Sequence, residues 1–262
     1  MSEQFREVQG VAETWSPERL LRWAFDTYKQ RIALSSAFGA EGMVLIDMAH
    51  RIYPAFRLFT IDTEFLFPET YDLMERVEER YGIKVERVYS ALTPEDQQTS
   101  HGSSLWKTDP DRCCDLRKIE PLRRKLAELQ GWITAIRRDQ TTSRAHAQKL
   151  EWDSKFQLVK VNPLADWTSE AVWKYIRKHD VPYNPLHDRN YPSVGCTHCT
   201  RAVHPGEDPR AGRWADFSKT ECGLHSPEVQ PVSPLVTIGT QPQIERNGSQ
   251  LPGAYPLPQC DV

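Results

Sequence analysis

The chain has 262 residues, of which 39% are hydrophobic, so it can bury the core of one domain with appendages. Its net charge of −3 gives no general reason to expect a nucleic-acid partner. The sequence has no apolar run of membrane-spanning length, and residues 1–15 lack the apolar centre of a signal peptide. We therefore expect a cytoplasmic protein without a membrane partner, whose reduced cysteines serve metal binding or catalysis.

The first predicted elements are helix, strand and helix. Ser16 and Pro17 are typical of a helix start, and that helix runs to about Tyr28. A short apolar strand over residues 31–36 is followed by a largely buried helix over residues 41–49. A strand, a loop of small residues and a helix form an arrangement that can bind phosphate.

The alternation of strands and helices continues through the middle of the chain. It predicts an α/β fold with a parallel sheet and helices on both faces. Ligands bind such sheets at the carboxyl ends of the strands, here residues 35–39, 62–63 and 137–144. The remaining predicted strands cover residues 56–62, 84–89, 132–136 and 157–161, and the helices cover residues 68–81 (closed by Gly82), 118–129 and 169–179.

The composition changes after Ser226, where prolines recur without helical periodicity. We predict one domain over residues 1–226 and a mobile, proline-rich tail over residues 227–262. Cys260 lies in this tail, and we interpret it as incidental to function.

Five of the six cysteines fall into three groups. Cys113 and Cys114 are adjacent, Cys196 and Cys199 form a C-x-x-C pair, and Cys222 lies in the motif E-C-G-L-H. Four thiolates are the usual complement of an iron–sulfur cluster. This grouping suggests four sulfurs for a cluster and one left free as a nucleophile.

Spacing alone leaves other uses of these cysteines open. Zinc sites usually draw on two pairs spaced by two to four residues, and only Cys196 and Cys199 fit that rule. The same pair could form a redox dithiol or a disulfide. Adjacent cysteines on a regular helix point about 100° apart, so Cys113 and Cys114 could share one metal site only on an irregular or tightly turned segment.

The loop over residues 35–41 reads S-S-A-F-G-A-E. It lacks the Lys-Ser/Thr ending of a P-loop and does not predict ordinary triphosphate hydrolysis. Its small residues would let backbone N–H groups approach a phosphate or sulfate at the positive end of the following helix. The alternative is a plain strand-to-helix turn.

Together these motifs resemble the assimilatory phosphosulfate reductases, most closely the iron–sulfur, thioredoxin-dependent adenosine 5′-phosphosulfate (APS) reductases. The combination of Cys-Cys, C-x-x-C and E-C-G-L-H is highly specific. The resemblance runs from about residue 30 to residue 226 and implies an adenine-nucleotide α-hydrolase-like (PP-loop) fold. The other matching segments are residues 35–41, 62–64, 68–71, 117–118, 132–134, 137–140, 195–203 and 213–214.

The resemblance also implies a reaction and a cofactor. It assigns a 4Fe-4S cluster to Cys113, Cys114, Cys196 and Cys199, and the role of nucleophile to Cys222. The implied reaction reduces APS to sulfite and AMP through a cysteine S-sulfo intermediate. Thioredoxin or a glutaredoxin-like protein would be the reductant. The oligomeric state stays open, a homo-oligomer included.

Substrate-binding residues follow from the same resemblance. Lys118 would lie between the cluster and the substrate. His225 near Cys222 is a candidate base, or equally a residue of a mobile segment or a thioredoxin contact. The residues implied for the nucleotide pocket are Ser36, Gly39 and Asp62, and those implied for the anionic groups are Arg144, Arg210 and Arg213.

The chain departs from the family pattern in its loop. The family usually has an acidic residue at the position of Gly42 and often a serine at that of Ala37, so contacts from those side chains are absent. The tail after Ser226 is longer than the resemblance explains.

Three alternative functions stay open. The protein could be a reductase of the 3′-phosphorylated nucleotide (PAPS), or an ATP-dependent sulfurtransferase, which would need an S-G-G-x-D-S loop. It could also be a zinc-bound structural module, but that function would leave Cys222 without a purpose.

Overall fold

The fold is known from a computed structural model that describes residues 3–217, 219 and 221–225. The predicted tail over residues 227–262, with Cys260, lies outside these described residues. Within the described part of the chain, no helix is long and apolar enough to cross a membrane.

In the described residues, a six-stranded sheet forms the core of the fold. Its strands are β1 (Ile32–Ser35), β2 (Arg57–Asp62), β3 (Val85–Tyr89), β4 (Gly131–Ile133), β5 (Leu150–Asp153) and β6 (Leu158–Val161). The strand order is β3-β2-β1-β4-β6-β5, with all pairs parallel except β5 against β6. The chain runs outward from β1 to β3 and then returns to the other side of β1. The strand order therefore changes direction between β1 and β4. In sheets of this type a crevice forms at the carboxyl ends of the strands where the order changes, and nucleotides usually bind there.

Helices cover both faces of the sheet, as predicted. Leu34 belongs to one buried hydrophobic cluster and its neighbour Ala33 to another, because successive side chains of a strand point to opposite faces. The helices are α1 (Glu3–Ala12), α2 (Pro17–Tyr28), α3 (Ala40–Ile52), α4 (Pro68–Tyr81), α5 (Pro94–His101), α6 (Leu105–Thr108), α7 (Pro110–Cys114), α8 (Glu120–Leu126) and α9 (Ser169–His179).

Local signals placed several element ends correctly. Helices α4 and α9 begin and end at the predicted residues. The hydroxyl of Ser16 accepts a hydrogen bond from the backbone N–H of Arg19, so Ser16 caps α2 as predicted. Gly82 ends α4 in the left-handed conformation, with φ of 62°.

Other predictions were incomplete. The sheet is mixed because β5, which was not predicted, runs antiparallel to β6. The helix predicted over residues 118–129 is shorter, since one turn of π-helix, Asp115–Ile119, precedes α8. Pro121 near the start of α8 has no N–H to donate, which favours an irregular turn before it.

Candidate active site

The loop between β1 and α3 presents backbone donors at the crevice. Gly39 is the N-cap residue of α3 and makes no side-chain cap, so no cap side chain competes for the N–H groups of the first turn. The hydroxyl of the buried Ser36 accepts a hydrogen bond from the backbone N–H of Phe38 at 3.0 Å and shapes the loop. This arrangement can bind an oxyanion.

Gly42 leaves room for Ser36. A Cβ atom at Gly42 would lie 2.5 Å from the Ser36 hydroxyl oxygen, closer than van der Waals contact allows. A side chain at position 42 would therefore require the Ser36 hydroxyl to move. Ala37, the second departure, is exposed.

Asp62 ends β2 beside this loop and is 2% exposed. One of its carboxylate oxygens accepts hydrogen bonds from the backbone N–H of Glu64 at 2.9 Å and the hydroxyl of Tyr71 at 2.8 Å. Burial raises the pKa of Asp62, although these two hydrogen bonds oppose the shift. The carboxylate is a fixed acceptor at the carboxyl end of the sheet.

The four cysteines predicted as ligands line one cavity. Cys113 and Cys114 end α7, directly before the π-helical turn, while Cys196 and Cys199 flank a short 3₁₀ turn. Both adjacent cysteines lie on α7, and the irregular π-helical turn begins directly after them, at Asp115. Among the described residues, no three His, Cys, Asp or Glu side chains converge closely enough for a single metal ion. The four cysteines nevertheless line one cavity, and their donor chemistry fits a multi-iron cluster.

Aromatic and hydroxyl groups border the same cavity. Trp106 and His198 stack with ring centres 3.9 Å apart, and Phe65 meets both rings edge-on. The hydroxyl of Thr63 lies 3.3 Å from the sulfur of Cys196, within hydrogen-bonding range for sulfur.

The π-helical turn brings two cations to the cavity wall. Arg117 donates hydrogen bonds to Gln97 at 2.7 Å and to Glu64 at 2.9 Å, so its positive charge is paired with the carboxylate of Glu64. Lys118 is also buried, and its amine lies 5.9 Å from the ring centre of Trp214. Burial lowers the pKa of Lys118, but the nearby sulfurs outweigh it and the net pKa is raised. Lys118 therefore stays charged beside the sulfurs.

Cys222 lies close enough to Lys118 for the two charges to interact. Burial raises the pKa of Cys222, but Lys118, the backbone N–H of Leu224 and Arg213 together lower it below the ordinary value. A thiol with these neighbours is ionised more readily than a free cysteine and can act as a nucleophile.

The residues around Cys222 dock the E-C-G-L-H segment onto the sheet. Lys155, in the turn between β5 and β6, donates to the backbone carbonyl of Gly223 at 2.7 Å. Leu224 packs against the second hydrophobic cluster. The ring of His225 stacks on Trp132 with centres 5.6 Å apart.

His225 is poorly suited to be a base. Burial lowers its pKa well below the ordinary value, and the nearby cations, Arg144 first among them, lower it further. At neutral pH its ring is therefore uncharged and binds protons only weakly. In the described structure it contributes packing against Trp132.

The three predicted arginines come together near Cys222. Arg144 and Arg210 both donate to the carboxylate of Glu221, at 2.8 Å and 3.5 Å. Arg213 lies against Trp214 and donates to Ser193 at 3.1 Å. In the described part of the chain, the Nε atoms of Arg144 and Arg213 and the indole N–H of Trp214 are buried without an acceptor. Buried donors of this kind suit an anionic ligand.

Glycine at position 195 keeps Arg213 in place. A Cβ atom there would lie 2.3 Å from a terminal nitrogen of the Arg213 guanidinium group, so any larger residue would push the cation aside. Arg213 therefore packs against Gly195, the residue directly before the C-x-x-C pair that begins at Cys196.

Sequence comparison decides the family. A model of the phosphoadenosine phosphosulfate reductase domain matches residues 31–202. The chain belongs to this family. The resemblance inferred from the motifs is thus confirmed.

Members of the phosphoadenosine phosphosulfate reductase family are similar over most of the chain. Adenosine 5′-phosphosulfate reductase of Shouchella clausii is 47% identical over 209 residues, which cover 79% of this chain and 87% of that protein. Adenosine 5′-phosphosulfate reductase 2 of Bacillus subtilis is 47% identical over 207 residues, covering 79% and 88%.

Solved structures confirm the predicted fold. The phosphoadenylyl-sulfate (PAPS) reductase of Candida auris, in a phosphate complex, has a TM-score of 0.67 at 30% identity and covers 77% of this chain and 98% of that one. The FMN adenylyltransferase of Candida glabrata has a TM-score of 0.54 at 13% identity, covering 80% and 70%, and shares the nucleotide-binding fold alone.

Sequence reasoning missed several residues of this reductase-family site. Lys155 escaped notice because its hairpin was not predicted, although a turn at Asp153 and Ser154 between two short apolar segments was a usable signal. Glu221 was read only as part of a motif, with no partner assigned. No local pattern connects it to Arg144, which is 77 residues away in the chain.

Proposed function

We propose that this protein reduces adenosine 5′-phosphosulfate to sulfite and AMP, with Cys222 as the nucleophile. The observation that carries the proposal is the surroundings of the Cys222 thiol, whose pKa is lowered by Lys118 and its other neighbours. Close to it, the buried Nε atoms of Arg144 and Arg213 have no hydrogen-bond acceptor in the described residues. The curated relatives are named adenosine 5′-phosphosulfate reductases, and the Candida auris relative was crystallised with phosphate. An anionic sulfur compound fits both observations.

The nucleotide is held by the crevice at the carboxyl ends of β1 and β2. The N-terminus of α3 at Gly39, shaped by Ser36, binds an oxyanion, and the Asp62 carboxylate accepts hydrogen bonds from the nucleoside. Arg144, Arg210 and Arg213 meet the phosphate and sulfate oxygens, which accept paired guanidinium donors well. The positions of these side chains in the described residues support this part of the proposal.

Cys113, Cys114, Cys196 and Cys199 are the residues that would hold a 4Fe-4S cluster. A bound cluster supplies electrostatic and structural organisation here, because the reaction moves electron pairs between sulfur atoms. Lys118 lines the cavity wall and interacts with both the ligand sulfurs and Cys222. It therefore links the geometry of the cysteine cavity to that of the nucleophile.

In the first step, the Cys222 thiolate attacks the sulfate sulfur of APS. A sulfur–sulfur bond forms, and the bond between the sulfate sulfur and the bridging phosphate oxygen breaks. The electron pair of that bond leaves with AMP, and Cys222 carries the sulfo group. Lys118 and Arg213, which lower the pKa of Cys222, raise the fraction of the thiol that is ionised.

In the second step, a dithiol protein restores the enzyme. A thiolate of thioredoxin, or of a glutaredoxin-like protein, attacks the Cys222 sulfur, and sulfite leaves with the electron pair of the sulfur–sulfur bond. The second thiol of the reductant then releases Cys222 as a thiolate, so the dithiol is oxidised to a disulfide. Because such reductants are kept reduced in the cytoplasm, we propose that the reaction takes place in the cytoplasm. The catalytic domain that we propose comprises residues 1–226.

PAPS is the second candidate substrate, since the family model and the Candida auris relative carry its name. Glu41 in the loop forms an ion pair with Arg137 at 2.9 Å, so that nearby cation is already engaged. Neither Ala40 nor Gly42 offers a positive charge for a 3′-phosphate. The local charges therefore favour APS.

Anaerobic assay of sulfite release tests the proposal. Purified protein is mixed with reduced thioredoxin and either APS or PAPS, and sulfite and the nucleotide product are measured together. We expect sulfite and AMP from APS in equal amounts. Release of neither product from either nucleotide would contradict the proposed function.

A further inference from the structure

The carboxylate of Glu221 lies where the arginines of the site converge. One of its oxygens accepts from Arg144 at 2.8 Å and from Arg210 at 3.5 Å, and the other accepts from the Thr141 hydroxyl at 3.1 Å. The side chains of Glu221 and Arg144 are only 10% and 11% exposed. Shielding from water strengthens a charged pair of this kind.

The same arginines are the cations that would bind the anionic groups of a nucleotide. Carboxylate, sulfate and phosphate all accept the paired N–H donors of a guanidinium group. One set of donors cannot serve two anions in the same place. Glu221 and a substrate oxyanion must therefore compete for Arg144 and Arg210.

We propose that Glu221 is a positioning residue that holds the Cys222 segment closed by occupying the anion site, and that a bound oxyanion displaces it. The inference rests on the proposed function only in assigning Arg144 and Arg210 to an oxyanion. Glu221 is next to Cys222 in the chain, so its release moves the nucleophile directly.

The unused donors explain why an oxyanion can win this competition. The Nε atom of Arg144 and that of Arg213 are buried without an acceptor in the described structure. A carboxylate has two oxygens to offer, whereas a sulfo group has three and reaches more of these donors. Other contacts of the segment do not involve Glu221, among them the hydrogen bond from Lys155 to Gly223, the packing of Leu224 and the stacking of His225 on Trp132. The segment is thus loosened but still tethered.

Alkylation of Cys222 by neutral iodoacetamide tests the competition. Trypsin releases residues 220–246 as one peptide in which Cys222 is the single cysteine, so mass spectrometry reads this site alone. The probe ion is inorganic sulfate, with sodium chloride at matched ionic strength as the reference. Because the charge of Glu221 raises the pKa of Cys222, each variant is measured at the plateau of its own pH profile.

We expect sulfate to accelerate alkylation of the wild-type protein. Glu221→Gln should react about tenfold faster without sulfate, the factor expected for losing a hydrogen-bonded charge pair, and should respond little to added sulfate. Glu86→Gln is the matched control, because Glu86 pairs with Lys125 at the edge strand β3 and should behave as wild type. Arg144→Gln removes the other partner and should likewise react fast.

Equal alkylation rates for wild type and Glu221→Gln, or protection of wild-type Cys222 by sulfate, would overturn the inference. Failure of the proposed function looks different. A protein that releases no sulfite from either nucleotide could still show the sulfate-dependent opening, because alkylation requires no turnover.

Discussion

The Nζ atom of Lys155 lies 2.7 Å from the backbone carbonyl oxygen of Gly223 and donates a hydrogen bond to it. This contact fixes the residue directly after Cys222 to the turn between β5 and β6. A hairpin that forms no part of the cysteine motifs thus helps to place the nucleophile.

Replacing Lys155 with methionine should therefore slow the reaction more than it weakens nucleotide binding. We expect kcat to fall about tenfold, since a hydrogen bond from a charged donor is lost, while KM changes little. Steady-state kinetics with APS measure both values. Lys174→Met, at an exposed position on α9, is the control. A rise in KM at unchanged kcat would show that Lys155 acts on the nucleotide instead.

The pH profile of Cys222 should depend on Lys118. Only the thiolate reacts with iodoacetamide, so the alkylation rate rises with pH through the pKa of the thiol. In the wild type the midpoint should lie below the ordinary value of 9.0, because Lys118 and its neighbours lower the pKa against the effect of burial. Lys118→Met should move the midpoint to higher pH, and a midpoint that stays in place would contradict the electrostatic role.

Loss of one predicted cluster ligand should remove iron. In Cys199→Ala we expect iron content and visible absorbance to fall strongly in anaerobically purified protein, because three thiolates leave one iron unprotected. Cys260→Ala is the matched control and should keep the iron of the wild type. Full iron content together with full activity in Cys199→Ala would show that the four-cysteine assignment is wrong.

The patterns that predicted this fold act over short distances. Pro68 and Gly82 mark the ends of α4 by backbone chemistry that involves only their neighbours. β5 was missed because it is four residues long and lies at one edge of the sheet, where β6 is its neighbour in the described residues. Its strand pairing, more than its own composition, stabilises it.

In the candidate site, too, local patterns predicted some features and contacts between distant parts of the chain were missed. The grouping of the cysteines suggested a set of four sulfurs, the family resemblance assigned Cys113, Cys114, Cys196 and Cys199 to it, and the described structure brings these four to one cavity. The pairing of Glu221 with Arg144 was not predictable, because it depends on how a segment after the sheet folds back over it. Such contacts follow from tertiary packing.

Substrate choice should favour APS over PAPS. Glu41 is paired with Arg137, so its repulsion of a 3′-phosphate would cost at most about 1 kcal/mol in a wet site, which corresponds to at most about fivefold in kcat/KM. The comparison of kcat/KM for the two nucleotides, at one ionic strength, measures this preference. Equal or reversed values would mean that the charges around the loop do not set the choice.

The most direct test of the account is the mass of the peptide that carries Cys222. The protein is mixed anaerobically with APS in the absence of reductant, digested with trypsin, and residues 220–246 are analysed. We expect a sulfo group on Cys222, its loss with release of sulfite when reduced thioredoxin is added, and no adduct in Cys222→Ser, which should keep its iron and its nucleotide binding. An unmodified peptide in a protein that still releases sulfite, or a sulfo group on the serine variant, would contradict the assignment of Cys222 as the nucleophile.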